Sequence, residues 1–151
     1  MSQDFKDLLA EFNARAVEFL LVGAHALAAH GYVRATEDLD VWIRPDRANA
    51  KRVIEALQAF GAPLQDLTEN DLVIPGLVFQ IGVAPIRIDI LTAIDGVEFD
   101  EAWAARSMTH FADQPVNVLS RAHLIQNKRA AGRTQDLADV ERLEGKSRIK
   151  S

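Results

Sequence analysis

Apolar residues recur along this chain with two different periods. Phe5, Leu8, Leu9 and Phe12 follow one another at three- and four-residue steps, which predicts an amphipathic helix over residues 4–15. The run Glu18-Phe19-Leu20-Leu21-Val22 is short and almost wholly apolar, and it ends at Gly23, so it reads as a buried strand. Residues 24–30 are rich in alanine and predict a short helix that stops at Gly31. Leu39, Val41 and Ile43 alternate with Asp38, Asp40 and Trp42, the period of a strand with one face toward the core, and Pro45 ends it. Asp46 then caps a helix that carries Val53, Leu57 and Phe60 and closes at Gly61.

Residues 62–76 lose the period and contain Pro63, Pro75 and Gly76. Leu77 to Val83 and Ile86 to Leu91 read as two strands joined at Ala84-Pro85 in a hairpin. Asp100 is expected to cap a short helix through Trp103, and Val116 to Leu119 to form a last strand. Ser120 begins a helix with Leu124 and Ile125, Gly132 interrupts it, and Thr134 is expected to cap a final helix with Leu137, Val140 and Leu143. Strands and helices mix around a central hairpin. The fold class is therefore α/β (α+β), a small mixed β-sheet flanked by helices, with one domain over residues 1–144 and a polar tail over 145–151.

Size and charge narrow the picture further. The chain has 151 residues, 48% of them hydrophobic, which suits a single packed domain. Its formal net charge of −5 gives no general basic field to draw nucleic acid or an anionic membrane. There is no cysteine, which excludes disulfides and thiolate metal sites. No apolar run approaches the roughly 20 residues of a membrane helix, and Met1 to Asp7 lacks a signal-peptide pattern. A cytoplasmic protein is expected.

The candidate chemistry starts at Asp38 and Asp40. Residues two apart on a strand share a face, so these carboxylates stand side by side and repel unless a cation lies between them. Alone, Asp-x-Asp fits two acids facing water equally well. Asp89 adds a third carboxylate inside the strand-forming run Ile86-Arg87-Ile88-Asp89-Ile90-Leu91, where aspartate is depleted. A salt bridge to Arg87 on the same face is the plainer explanation for it. If the two strands are neighbours, three carboxylates converge, and such a face can hold two divalent cations for in-line phosphoryl displacement. Mg2+ suits carboxylate, phosphate and water oxygens.

Gly23 sits where a strand meets a helix, a place where backbone can approach a phosphate. Lys128 and Arg133 concentrate positive charge just before the last helix. They are candidates for a triphosphate, or else for a solvated helix end with Asp136 and Asp139 in the first turn beyond. The chain has no Walker string, no Gly-x-Gly-x-x-Gly, no EF-hand loop and no Gly-x-Ser-x-Gly elbow. His25 and His30 are five apart rather than the four of a zinc helix. The basic stretch 126–133 has no interleaved aromatics, which argues against an RNA-binding module.

Together, the glycine turn, the short helix, Arg34-Ala35-Thr36-Glu37-Asp38-Leu39-Asp40 and the distant Asp89 resemble the nucleotidyltransferase superfamily, which shares the DNA polymerase β catalytic core. Val22-Gly23-Ala24-His25-Ala26-Leu27, His30-Gly31 and the string Lys128, Arg133, Asp136, Asp139 are similar to small bacterial nucleotidyltransferase-like proteins related to abortive-infection toxins. The resemblance implies a nucleotidyltransferase-like fold with C-terminal helices. It implies Asp38, Asp40 and Asp89 as metal-binding and catalytic residues, with Asp89 as base. It implies Gly23, Ala24, Arg34, Thr36, Lys128 and Arg133 around the nucleotide. The implied reaction moves an NMP from an NTP to a hydroxyl on an RNA end, a protein or a small molecule, with a toxin-like role. The alternative is a non-catalytic binding protein acting with a cognate antitoxin or regulatory partner. Ala24 stands where the superfamily usually has serine or glycine, so the hydroxyl is absent and the backbone N–H remains.

Overall fold

A computed structural model describes residues 3–33, 38–83 and 86–145. Helix α1 (Gln3–Ala14) buries Phe5, Leu8, Leu9 and Phe12, the periodic set. Strand β1 (Phe19–Val22) runs into α2 (Gly23–Ala29), and β2 (Asp38–Ile43) follows. Helix α3 (Arg47–Phe60) starts where the Asp46 carboxylate accepts the Asn49 N–H at 2.8 Å and ends at left-handed Gly61. After a 3-10 turn at Asp71–Val73 come β3 (Val78–Val83), β4 (Ile86–Leu91) and α4 (Phe99–Ala104). Strands β5 (Ser107–Phe111) and β6 (Gln114–Val118) precede α5 (Arg121–Ala131) and α6 (Thr134–Glu144).

The strands form a six-stranded mixed sheet in the order β3-β4-β2-β1-β6-β5. β2 lies parallel to β4 and antiparallel to β1, so the Asp-x-Asp strand neighbours the strand of Asp89. One face of β2 and β4 buries Leu39, Val41, Ile43, Ile88 and Ile90. The Phe12 ring meets Phe19 at 5.3 Å, bringing α1 onto that face, and α3 packs beside it. The opposite face carries Asp38, Asp40 and Trp42 on β2, with Asp89 and Leu91 on β4.

Three expectations need correction. Ser107–Phe111 is a strand that the apolar pattern does not reveal, because it is an edge strand with an exposed middle. It pairs with β6 through Ala112-Asp113, whose positive φ values of 52° and 62° make the tight turn that joins twisted strands. Asp100 lies within the first turn of α4 instead of capping it; Glu98 holds the cap position and Asp100 pairs with Arg44. Thr134 is the first residue of α6, and its cap is made by Asp136, which accepts the Arg133 N–H at 3.2 Å. The hairpin connection at Ala84-Pro85 and tail residues 146–151 lie outside the described residues. Among the described residues, no helix is long and apolar enough to cross a membrane.

Candidate active site

Parallel pairing of β2 and β4 sets Asp40 opposite Asp89 and Asp38 opposite Arg87. The three candidate carboxylates therefore share a face of two adjacent strands, Asp38 at the start of β2 and Asp89 within β4. Asp40 also lies opposite Val22 across β1, the residue before the glycine turn. Gly23 has φ +69°, and a Cβ there would fall 2.2 Å from Asp40 Oδ2. Glycine is required twice over, by its left-handed backbone and by the carboxylate against it. Ala24 follows in the first turn of α2.

Charge on this face is unevenly compensated. The Arg87 guanidinium reaches Asp38 Oδ2 at 3.1 Å and Asp89 Oδ1 at 3.3 Å. Asp89 thus lies on the carboxylate face and also pairs with Arg87. Burial pushes the Asp40 carboxyl up to about 6, and neighbouring Asp89 and Asp38 push the same way while Arg87 opposes them. A hard cation would relieve that crowding, and three carboxylates are suitable donors for Mg2+. The fit is incomplete in one respect. Among the described residues, no three acidic or histidine side chains already close around a single point.

A cleft of about 250 Å³ adjoins the face, lined by Gly23, Asp40, Asp95, Lys128, Arg133 and Asp136, among others. It unites residues more than 100 positions apart in sequence, from Gly23 to Arg133. Docking of α5 builds its far wall. Asn127 Nδ2 donates to the Asp95 carbonyl at 2.9 Å, and Gly96 sits so close that a Cβ there would lie 2.5 Å from Ala130 Cβ. Asp95 and Asn127 were not foreseen; loop and helix residues of this kind carry no period that marks them.

Lys128 is not a solvated helix end. Its side chain is 9% exposed and its Nζ lies 3.0 Å from Asp139 Oδ2 and 3.5 Å from Asp136 Oδ1. Arg133 is largely exposed and clasps Asp136, with Nε donating at 2.7 Å and Nη2 at 3.2 Å. Those hydrogen bonds hold the Asp136 carboxyl below the ordinary carboxylate range, against the effect of burial. His25 packs edge-on between Phe5 and Phe111, and burial lowers its pKa although Asp38 opposes the shift. Arg34 and Thr36 lie outside the described residues.

A second cavity of about 480 Å³ shares Ala93 and Ile94 with the cleft. Trp42 and Phe99 line it, their rings edge-to-face at 4.9 Å. Trp42 follows Asp40 by two residues on β2, so the aromatic floor continues the carboxylate face.

This sheet, its order and the helices around it define the nucleotidyltransferase fold, which the chain shares with solved structures of that class. One is the lincosamide antibiotic adenylyltransferase LnuA with lincomycin bound, at TM-score 0.61 and 15% identity over 97% of this chain and 98% of that one. Another is the antibiotic-resistance factor ANT(2'')-Ia, at TM-score 0.61 and 16% identity over 95% and 82%. A nucleotidyltransferase-like protein from Paracoccidioides brasiliensis aligns at TM-score 0.52 and 15% identity over 95% and 77%. The sequence matches no protein-family model and no curated protein.

Proposed function

We propose that this chain is a nucleotidyltransferase that moves an NMP from an NTP to the hydroxyl of a small molecule. The observation that carries the reading is the register of Asp40 opposite Asp89, with Gly23 pressed against Asp40. Asp38, Asp40 and Asp89 would hold Mg2+, which when bound offsets phosphate charge and makes the attacking oxygen more nucleophilic. The Gly23 turn leaves room for a phosphate to approach backbone beside Asp40. Asp89 accepts the proton of the acceptor hydroxyl, whose oxygen bonds to the α-phosphorus as the bond to pyrophosphate breaks. Arg133, the exposed cation at the cleft, meets the departing phosphates, whereas Lys128 acts by holding α5 to α6 through Asp136 and Asp139.

The cavity floored by Trp42 and Phe99 gives the acceptor a place directly along β2 from the carboxylates. Support for a small-molecule acceptor also comes from the neighbours, LnuA with lincomycin and ANT(2'')-Ia with adenylyl-2''-tobramycin. The NTP donor places the reaction in the cytoplasm in this reading.

The test is incubation with each labelled NTP and Mg2+, in parallel with lincomycin, tobramycin, total RNA and cell lysate, beside the Asp38→Asn/Asp40→Asn double variant. Label on a small molecule with wild type alone is the expected result. Label on RNA or protein would replace the acceptor class and revive the toxin-like role. No transfer, together with no NTP–Mg2+ binding by calorimetry, would leave the non-catalytic partner protein, a reading favoured by the Arg87 pairs that already occupy Asp38 and Asp89.

A further inference from the structure

The carboxylate face already contains a cation that the chain supplies itself. Arg87 and Asp89 are two residues apart on β4 and share a face, while Arg87 stands in register with Asp38 on β2. The guanidinium spans the gap with different nitrogens, Nη2 at 3.1 Å from Asp38 and Nε at 3.3 Å from Asp89. The guanidinium is a planar cation whose N–H groups form a rigid fork that suits carboxylates. The Asp89 side chain is 13% exposed and that of Arg87 32%, so solvent screens the pair less than it would at an open surface. Among the described residues, the ion pairs of Arg87 run to these two carboxylates.

Formal charges point the same way. Three carboxylates and one guanidinium leave −2 on the face, which a single divalent ion balances. Two divalent ions beside Arg87 would put five positive charges against three negative ones before any phosphate arrives. We propose that Arg87 takes the place of a second divalent ion, so that this face binds one metal ion per chain where its three carboxylates would otherwise accommodate two. Arg87 is then a positioning residue that ties Asp38 to Asp89 beside Asp40. The inference rests on the carboxylates being the metal site of the proposed transferase.

Electron paramagnetic resonance of a Mn2+ titration reads this directly. Free Mn2+ gives the bound number, and two ions about 4 Å apart, the spacing of a paired site, give an exchange-coupled spectrum. Wild type is expected to bind one Mn2+ with no coupling. Arg87→Gln is expected to bind a second, with coupling. A coupled pair in wild type overturns the inference and leaves the transferase reading intact. One ion in both proteins also overturns it. No ion in either overturns it along with the metal role of the carboxylates. If Arg87→Gln does not fold, Arg87→Met, which removes the charge and keeps the aliphatic stem, serves as the second variant and is read the same way: a coupled pair in it supports the inference and a single ion overturns it.

Discussion

A Cβ on Gly23 would stand 2.2 Å from Asp40 Oδ2, which ties the turn after β1 to the carboxylate on β2. Gly23→Ala therefore meets two penalties. Its left-handed backbone costs a β-carbon about 1–2 kcal/mol, and Asp40 must swing away. Expected outcomes are a fall of that size in stability by urea unfolding and a loss of NMP transfer of about 100-fold, the scale of misplacing a reacting group. A fully active Gly23→Ala protein would remove the turn from the site.

Asp40 gives the site a pH signature. Its pKa is raised from 3.8 to about 6 by burial and by Asp89 and Asp38. The folded chain holds this proton more tightly than the unfolded chain, so the contribution of Asp40 to stability falls as pH climbs from about 4 to about 6. The Tm of metal-free protein should decline across that window, and Asp40→Asn should flatten the decline. Mn2+ affinity should rise about tenfold per pH unit below that value and level off above it. An unchanged decline in Asp40→Asn would assign the titration to another group.

Lys128 is buried between Asp136 and Asp139. Lys128→Met leaves two buried carboxylates short of a partner, and breaking a buried pair in this way costs about 3–5 kcal/mol. Chemical denaturation should show the loss, and adding Asp139→Asn should recover part of it. Arg133→Gln, at the exposed end of the same network, should cost far less stability while raising KM for the NTP. A Lys128→Met protein of wild-type stability would refute the structural role.

Phe99 meets Trp42 edge-to-face and stacks on Trp103 at 5.7 Å. Phe99→Leu keeps most of the apolar volume and removes the ring. Losing the ring's contact with the acceptor, about 1 kcal/mol, should raise KM for the acceptor roughly fivefold with KM for the NTP unchanged. Equal changes in both constants would place the acceptor elsewhere.

Much of the architecture is legible in local pattern. The apolar steps at Phe5, Leu8, Leu9 and Phe12 locate α1, and Asp46 and Ser120 mark true helix starts because their side chains accept backbone N–H groups within the same turn. Strand β5 escaped because an exposed edge strand needs no hydrophobic period, and Asp100 misled because its partner, Arg44, is distant in sequence. Asp38 and Asp40 could be picked out as candidates because residues two apart on a strand share a face, and Asp89 because aspartate is depleted in strands. That Lys128 is buried could not be seen, because a lysine in the helix string reads the same whether its partners are water or carboxylates.

The sequence by itself determined the elements other than β5, the shared face of Asp38 and Asp40, and the glycine at the turn, since each depends on neighbours within a few residues. Tertiary structure alone decided that β2 runs beside β4, that Asp40 meets both Asp89 and Gly23, and that Arg87 bridges Asp38 to Asp89. The physical reason is range. Helix and strand periods are set by backbone geometry over a handful of residues, whereas the balance of charge on the carboxylate face depends on strand pairing between segments about fifty residues apart, which no local period encodes.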